Sequence, residues 1–503
     1  MMHRLLFFYL FLMVALLDQA QAKANRPNVL FIAVDDMKDW VNCLGGYEGR
    51  VYTPNIDRLA NRGMLFTNAH CVSPKCAPSR AAIMMGLRPS TTGFYDNQHW
   101  WYPNYPDAET LPILFRNNGY TVSGAGKIFH HTAGNNPPRQ WDDYYRLLFR
   151  DDPWFRGSRI NYPWTKAVSN PPGFPFSKVI GLPHENDWGI IPVADDELDD
   201  VRTAGFVVRH LQKSHDKPFF LACGLFRPHL PWYAPKRFFD MYPLNKVVIP
   251  DSPEDDLDDV PEAGKRFAAS RRSDMLKIEK QDAKQQAVQA YLASISYADE
   301  QLGRVLDALE SSDYNANTVI VFWSDHGWHL GEKRHWHKST LWEEATRIPF
   351  IIATPKIKPG VCEQPVSLLD IFPTLMELCG VSTDQPLDGL SLVSQLNTPE
   401  TNRQPALIEF RKGNAAVRSK RWRYIRYEDG SEELYDHNID PEERVNLSGK
   451  RKYQQVKLRL AKWLPREWAK EALSKKAFDF DPETYSWKNR STKETFLGQK
   501  LVK

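Results

Sequence analysis

Three short stretches of this chain carry side chains able to do chemistry. Asp35 and Asp36 close the apolar run NVLFIAV, and Asp325 and His326 close the similar run TVIVFWS. Oxygen-rich clusters of this kind suit a hard divalent cation such as calcium or magnesium. One such pair alone reads as a turn or a helix cap, whereas two pairs at equivalent strand ends favour a shared ion. The third stretch, CVSPKCAPSR, sets Cys76 just before what reads as a helix entered through Pro78 and Ser79. Free backbone N–H groups there attract an anion, and Arg80, one turn in, offers a fork suited to tetrahedral oxyanions. Cys76 itself stays open as a disulfide partner of nearby Cys71, a buried packing residue, a metal clip or a nucleophile.

The elements that position these residues follow from the hydrophobic pattern. With 503 residues, 42% of them apolar and 12% aromatic, the chain can build a large core and a smaller appendage. Continuous apolar runs suit strands buried on both faces, as in a parallel sheet. TPNIDRLANRG reads as a helix capped by Thr53, started by Pro54 and ended at Gly63. Further strand-like runs begin at Thr121, Pro218, Thr318 and Pro349. Before the third of these, Tyr291, Leu292, Ile295, Leu302, Val305, Leu306 and Leu309 form one stripe at helical spacing. The expected fold is therefore α/β, a mostly parallel central sheet flanked by helices, with ligands outside the carboxyl ends of the strands. Past residue 400 the pattern changes to short strands with a turn at Asp429-Gly430 and a lysine-rich helix near Tyr453 to Lys470, a smaller C-terminal subdomain with an antiparallel sheet.

Charge and cysteine content narrow the class. A formal charge of +3 from 65 basic and 62 acidic residues gives no drive toward nucleic acid, so anion recognition must be local. The first 22 residues read as a signal peptide: His3 and Arg4, an apolar run from Leu5 to Leu17, then Ala20-Gln21-Ala22. The run is short for a spanning anchor, so the expectation is an exported protein, periplasmic or extracellular, with no stable membrane anchor. Six cysteines are too few for a disulfide framework and lack paired zinc spacing; Cys362 with Cys379 is the pairing to test. DSPEDDLDDVPE, from Asp251, reads most simply as a solvated loop, with a site for a cation or a basic partner as the alternative. The expected division is a signal peptide at 1–22, a catalytic domain at 26–390 and a C-terminal subdomain at 391–503.

C-x-P-S-R, read together with LRPSTTG from Leu87, GKIFH around Lys127, RPHLP from Arg227 and SDHGWHLGE from Ser324, resembles the type I sulfatases. The resemblance runs from about Pro27 to about residue 380 and more weakly through ELYDHNIDPEERVNL. The wording of KPFFLACGLFRPHLPWYAPKRFF is similar to the iduronate-2-sulfatase-like branch. The resemblance implies an alkaline-phosphatase-like fold, a calcium ion in preference to magnesium, and oxidation of Cys76 to formylglycine by a separate formylglycine-generating or sulfatase-maturating enzyme. By the same resemblance, Asp35, Asp36, Asp325 and His326 are metal ligands, with modified Cys76 adding an oxygen. Arg80 and Lys127 hold the formylglycine and sulfate oxygens, Lys338 contacts sulfate, His130 assists the formylglycine hydroxyl, and His229 protonates the departing oxygen.

Two departures bear on that assignment. His326 stands where many sulfatases have asparagine, and imidazole is a softer ligand. GKIFH has one residue more between lysine and histidine than the common wording, which leaves His130 and His131 as alternatives. Trp100, Trp101, Tyr102 and Tyr105, with Trp154 and Arg156 further on, read either as a sugar-stacking platform or as loop aromatics packed on the domain. The natural substrate is then a sulfated polysaccharide or its oligosaccharides, including a 2-O-sulfated uronic acid. The alternatives are a phosphomonoester or phosphonate hydrolase of the same superfamily and a non-catalytic glycan-binding relative.

Overall fold

The computed structural model describes residues 26–145, 173–270 and 272–499. The expected signal peptide and the segment with Trp154 and Arg156 lie outside the described residues. Eight strands form the central sheet: β1 (Asn28–Val34), β2 (Met64–Phe66), β3 (Thr121–Gly126), β4 (Asp143–Tyr145), β5 (Phe219–Leu225), β6 (Thr318–Ser324), β7 (Phe350–Ala353) and β8 (Gly360–Cys362). Their order is β8-β2-β7-β6-β1-β5-β3-β4. β1 lies between β5 and β6, parallel to both, and only β7 runs antiparallel to its neighbours.

The sheet is covered on both faces. Along β1, Val29, Phe31 and Ala33 enter one hydrophobic cluster and Leu30, Ile32 and Val34 enter the other. That two-residue alternation is the pleat itself, so a central strand needs apolar side chains at every position. Helices α1 (Pro54–Arg62), α2 (Cys76–Met85), α3 (Asp199–Leu211), α4 (Glu262–Ala269), α5 (Arg272–Lys280), α6 (Lys284–Glu310) and α7 (Ile371–Cys379) surround it. The stripe from Tyr291 to Leu309 is buried throughout on α6. This is the alkaline-phosphatase-like architecture, a mostly parallel sheet between helical layers.

A smaller antiparallel sheet follows: β9 (Ala406–Glu409), β10 (Ala415–Arg418), β11 (Trp422–Arg426) and β12 (Glu432–Asp436). Its own cluster joins Val417, Trp422, Tyr424 and Leu434 to Leu460 of α8 (Gln454–Ala461). α8 ends well short of Lys470, because Pro465 lies just beyond and disfavours helix in the residue before it. The chain then returns to the first domain, where the Tyr485 hydroxyl donates to the Asn136 carbonyl at 2.7 Å and the Tyr102 hydroxyl to the Leu497 carbonyl at 2.8 Å. Among the described residues no helix is long and apolar enough to cross a membrane.

Several local expectations change. Thr53 does not cap α1 with its side chain: its hydroxyl accepts from Asn42 N–H at 2.9 Å. Asp299 of α6 takes over, accepting from the N–H groups of Asn55 and Ile56 at 3.1 and 2.8 Å. All six cysteines are free, so the Cys362 to Cys379 pairing is not made. Cys362 Sγ points to the Pro399 carbonyl, while Cys379 packs at the end of α7 beside Tyr120. The acid-rich loop is not merely solvated: Asp256 is buried against Lys333 at 3.0 Å, and Asp259 accepts from Asn446 N–H at 2.7 Å, tying the loop to the C-terminal subdomain.

Candidate active site

The site lies where β1 and β6 end side by side. Val34 and Ser324 are register partners, so Asp35, Asp36, Asp325 and His326 leave the sheet together. Asp36 has φ 61°, a left-handed conformation that costs a non-glycine residue on the order of 1 kcal/mol or more. Its surroundings hold it there. Its N–H donates to Asp325 Oδ1 at 3.1 Å, its carbonyl accepts from the Tyr291 hydroxyl at 2.7 Å, and the following N–H of Met37 donates to Ser324 Oγ at 2.9 Å. Tyr291 thus has a role beyond the core stripe, one that helical periodicity cannot reveal.

α2 begins at Cys76, two residues before the expected start, with Lys75 extended as its cap residue. Pro78 is accommodated in the first turn, where a missing N–H costs no helical bond. All of α2 is buried. Ser79 Oγ donates to the Asp325 carbonyl at 2.8 Å, fixing the helix to the end of β6. Arg80 donates from Nε to Asp325 Oδ2 at 2.8 Å, from one terminal nitrogen to Asp35 Oδ1 at 3.2 Å, and from the other to the carbonyls of Lys127 and Ile128.

Lys127 comes from the tip of β3 and pairs with Asp35 Oδ2. Its N–H donates to the Gly224 carbonyl at 2.8 Å, and a Cβ on Gly224 would lie 2.3 Å from the Lys127 carbonyl carbon. Only glycine lets the two strand ends approach this closely. Lys338, from the loop after β6, donates to Asp36 Oδ1 at 2.6 Å and lies 3.0 Å from Cys76 Sγ. His326 Nε2 is 3.3 Å from Cys76 Sγ and 3.4 Å from Asp36 Oδ1. His229 directs Nε2 to within 3.7 Å of Asp36 Oδ2, while its Nδ1 meets the Leu230 carbonyl at 2.5 Å. His130 is buried, its ring 4.6 Å from that of His131, which is in turn 5.8 Å from that of His229.

One atom from each of Asp35, Asp36, Cys76 and His326 falls within 4.8 Å of the others. Asp325 stands alongside with both oxygens engaged, one by Arg80 and one by the Asp36 N–H. Asp36 Oδ2, by contrast, is buried without a hydrogen-bond donor among the described residues. Buried carboxylate oxygens are rarely left so, and a cation in contact with it would satisfy the lone pairs. The donor set of two carboxylates, an imidazole and the side chain at Cys76 fits a divalent ion.

Electrostatics separate the acids. Burial pushes the Asp36 carboxyl up to about 7 against the pull of Lys338, and burial with the nearby Asp325 charge raises Asp35 as well. Burial works on Asp325 too, yet Arg80, His326 and the lysines outweigh it and hold that carboxyl well below its usual range. Burial lowers His326, His229 and His130, leaving all three biased toward neutral imidazole. Lys338 and Arg80 rise despite burial because carboxylates surround them.

The aromatic run near the site is settled by burial. Trp100, Trp101 and Tyr102 are core residues, with Trp101 stacked on Phe129 at 5.2 Å and Trp100 against Phe480 at 5.4 Å. They offer no platform to a sugar. Tyr105 is half-buried, edge-on to Phe94. Asn97, which the sequence did not single out, accepts from the Ala77 N–H at 2.9 Å at the start of α2.

Fold and site together define a protein of the alkaline-phosphatase-like class that carries a candidate divalent-metal cluster. A family model described as Sulfatase matches residues 27–381, and one described as N-sulphoglucosamine sulphohydrolase, C-terminal, matches residues 331–470. The chain is 37% identical to a sulfatase of Formosa agariphila, over 96% of this chain and 95% of that one. It is 32% identical to human iduronate 2-sulfatase over 76% and 69% of the two chains. The phosphonate monoester hydrolase of Agrobacterium radiobacter has a similar structure, with a TM-score of 0.66, 25% identity and coverage of 87% and 94%. The chain belongs to the sulfatase family and is an enzyme acting on sulfate esters.

Proposed function

We propose that this is an exported carbohydrate sulfatase in which Cys76, matured to formylglycine by a separate enzyme, is the nucleophile beside a bound calcium ion. The observation that carries the reading is the convergence of Cys76 Sγ with ligand atoms of Asp35, Asp36 and His326 within 4.8 Å, with Lys338 Nζ 3.0 Å away. Asp35, Asp36, Asp325, His326 and modified Cys76 would hold the ion. When bound, the ion supplies Lewis acidity and compensates charge on the transferring group.

The chain's own groups supply the remaining steps. The hydrate of an aldehyde carries two hydroxyls on one carbon. One hydroxyl, having released its proton to solvent, attacks sulfur as the ester S–O bond breaks, and the departing sugar oxygen takes a proton from His229. The second hydroxyl, assisted by His130, then loses its proton as the bond to sulfate breaks and the aldehyde returns. A serine ester lacks that exit. Arg80, Lys127 and Lys338 stabilise the charge on the sulfate oxygens throughout. His229 is suited to its part because Nδ1 is held on the Leu230 carbonyl, leaving Nε2 turned to the site. Burial keeps the free imidazole neutral, so it takes up its proton in company with the anionic substrate.

Likeness to human iduronate 2-sulfatase supports a substrate in which the ester is carried by a sulfated uronic acid of a polysaccharide or oligosaccharide. The same reading assigns residues 1–22 to export, 26–390 to catalysis and 391–503 to the C-terminal subdomain. Cys76→Ala is expected to abolish sulfate release with little change in thermal unfolding. The native peptide carrying Cys76 should be lighter than its thiol form by the cysteine-to-aldehyde change. Retained turnover in Cys76→Ala would remove the nucleophile from the scheme. Phosphate and phosphonate esters, run alongside, should turn over far more slowly than sulfate esters.

A further inference from the structure

The loop that delivers Lys338 is bent against the preference of its own residues. Lys333 (φ 54°), Arg334 (φ 48°), His337 (φ 82°) and Ser339 (φ 80°) are all left-handed, and none is glycine. Each such residue sits in a region that only glycine enters freely, so the loop persists only where its surroundings over-determine it. Lys333 is clamped to Asp256 at 3.0 Å and to the Glu443 carbonyl. Arg334 reaches Glu279 at 3.2 Å, and His337 reaches Asp274 at 3.2 Å, both on α5.

His335 is the innermost of these clamps. It is fully buried, with Nδ1 2.8 Å from the Ala268 carbonyl and Nε2 2.8 Å from the Lys338 carbonyl. A backbone carbonyl can only accept, so both ring nitrogens must donate, and a ring that donates from both is an imidazolium. Ala268 lies in the last turn of α4, where carbonyls lack intrahelical partners and the helix dipole favours a cation. The adjacent His329, 5.0 Å away ring to ring, differs. One of its nitrogens meets the Glu332 carbonyl at 3.1 Å and the other the Thr340 hydroxyl at 2.7 Å, which can donate to it. Burial, followed by the charge of His335, keeps His329 neutral.

We propose that His335 is protonated in the native fold and is a positioning residue: it fixes the backbone of Lys338 and so aims that ammonium at the sulfate. The inference rests on the sulfate-binding role assigned above to Lys338. It assigns α4 and α5 a function that their distance in sequence from every motif conceals. They form the mould of a strained catalytic loop.

A double-mutant cycle tests it, with wild type, His335→Ala, Lys338→Ala and the double variant assayed on one aryl sulfate. His335→Ala should lower kcat by about 10²-fold with little change in KM, the expected consequence of a misplaced catalytic group. In the Lys338→Ala background the same change should cost no more than about threefold, because the two residues act as one. Equal losses in both backgrounds would mean that His335 serves folding alone, and the proposal would be wrong. Wild-type turnover in Lys338→Ala would instead overturn the role of Lys338, and the inference with it. Should His335→Ala fail to fold, His335→Gln, whose single amide nitrogen can donate to only one of the two carbonyls, carries the cycle and should lower kcat in the wild-type background but hardly in Lys338→Ala. Independently, histidine-selective ¹⁵N spectra at neutral pH should contain one ring protonated at both nitrogens that disappears in His335→Gln. A neutral tautomer there would overturn the charge assignment.

Discussion

Among the described residues, two clusters present acids and a histidine close enough to share an ion, and their electrostatics differ. Glu343, His437 and Glu443 converge as tightly as Asp35, Asp36, Cys76 and His326. In the first group, however, every carboxylate is met by protein cations. Arg423 pairs with Glu343 and lies 2.5 Å from Glu443, Arg418 reaches Glu343 at 3.1 Å, and His437 reaches Glu443 at 2.8 Å. The arginines outweigh burial and hold both acids below their usual range. In the second group Asp36 Oδ2 has no donor among the described residues, and its carboxyl is raised to about 7. Proximity of ligands therefore does not by itself mark a candidate metal centre; proximity together with an unmet lone pair does. The Glu343 group is a latch between the main sheet and the C-terminal strands, although a cavity of about 810 Å³ opens beside it.

The largest effect that would break this contrast comes from Asp36→Asn. A bound ion contributes several kcal/mol to the transition state, so sulfate release should fall on the order of 10³-fold. The same variant should lose the stabilisation that a divalent ion gives the wild type, about 2.7 kcal/mol at a hundredfold excess over Kd, read as the melting shift on adding calcium and reversed by chelator. Glu343→Gln should keep that shift. A calcium shift that survives in Asp36→Asn but vanishes in Glu343→Gln would exchange the two clusters' roles.

Next in size is the latch. Arg423→Met leaves Glu343 and Glu443 buried with too little positive charge, a loss of about 3–5 kcal/mol in unfolding free energy. Denaturant midpoints would show it. Because the latch is structural, the folded fraction of Arg423→Met should still bind calcium. A loss of less than about 1 kcal/mol would mean that the pair is solvated and that the two clusters differ less than the geometry says.

The contrast also marks what could be read in the sequence. The strand-tip acids, Cys76 and Arg80 were legible because each follows a strong local signal, an apolar run or a helix start, and the parallel sheet brings such ends to one edge. The supports were not. Asp299 capping α1, Tyr291 holding the Asp36 carbonyl and His335 gripping Lys338 join segments whose pairing no periodicity encodes. Composition settled neither of two further readings. Trp100 to Tyr102 are apolar enough to be core and are core, while the acid-rich loop from Asp251 forms a buried ion pair because Lys333 is folded onto it.

A third buried acid completes the comparison with the smallest effect. Glu409 on β9 has no arginine in hydrogen-bond range among the described residues; its oxygens accept from the Ser90 N–H and hydroxyl, each at 2.7 Å. Burial raises its carboxyl to about 7 from the ordinary 4.5, so here a proton does what the guanidinium groups do for Glu343 and what an ion would do for Asp36. Between those values the native state binds a proton that the unfolded chain has released. Stability from this group is therefore full below about 4.5 and declines as pH rises through about 7, by up to about 3 kcal/mol. Glu409→Gln keeps one acceptor for the Ser90 N–H and can donate to the hydroxyl. It should flatten that decline and raise the melting temperature above neutral pH while leaving it nearly unchanged in mild acid. An unchanged pH profile in Glu409→Gln would show that the carboxylate is charged when folded, and that burial without a cation is cheaper in this fold than the other two clusters imply.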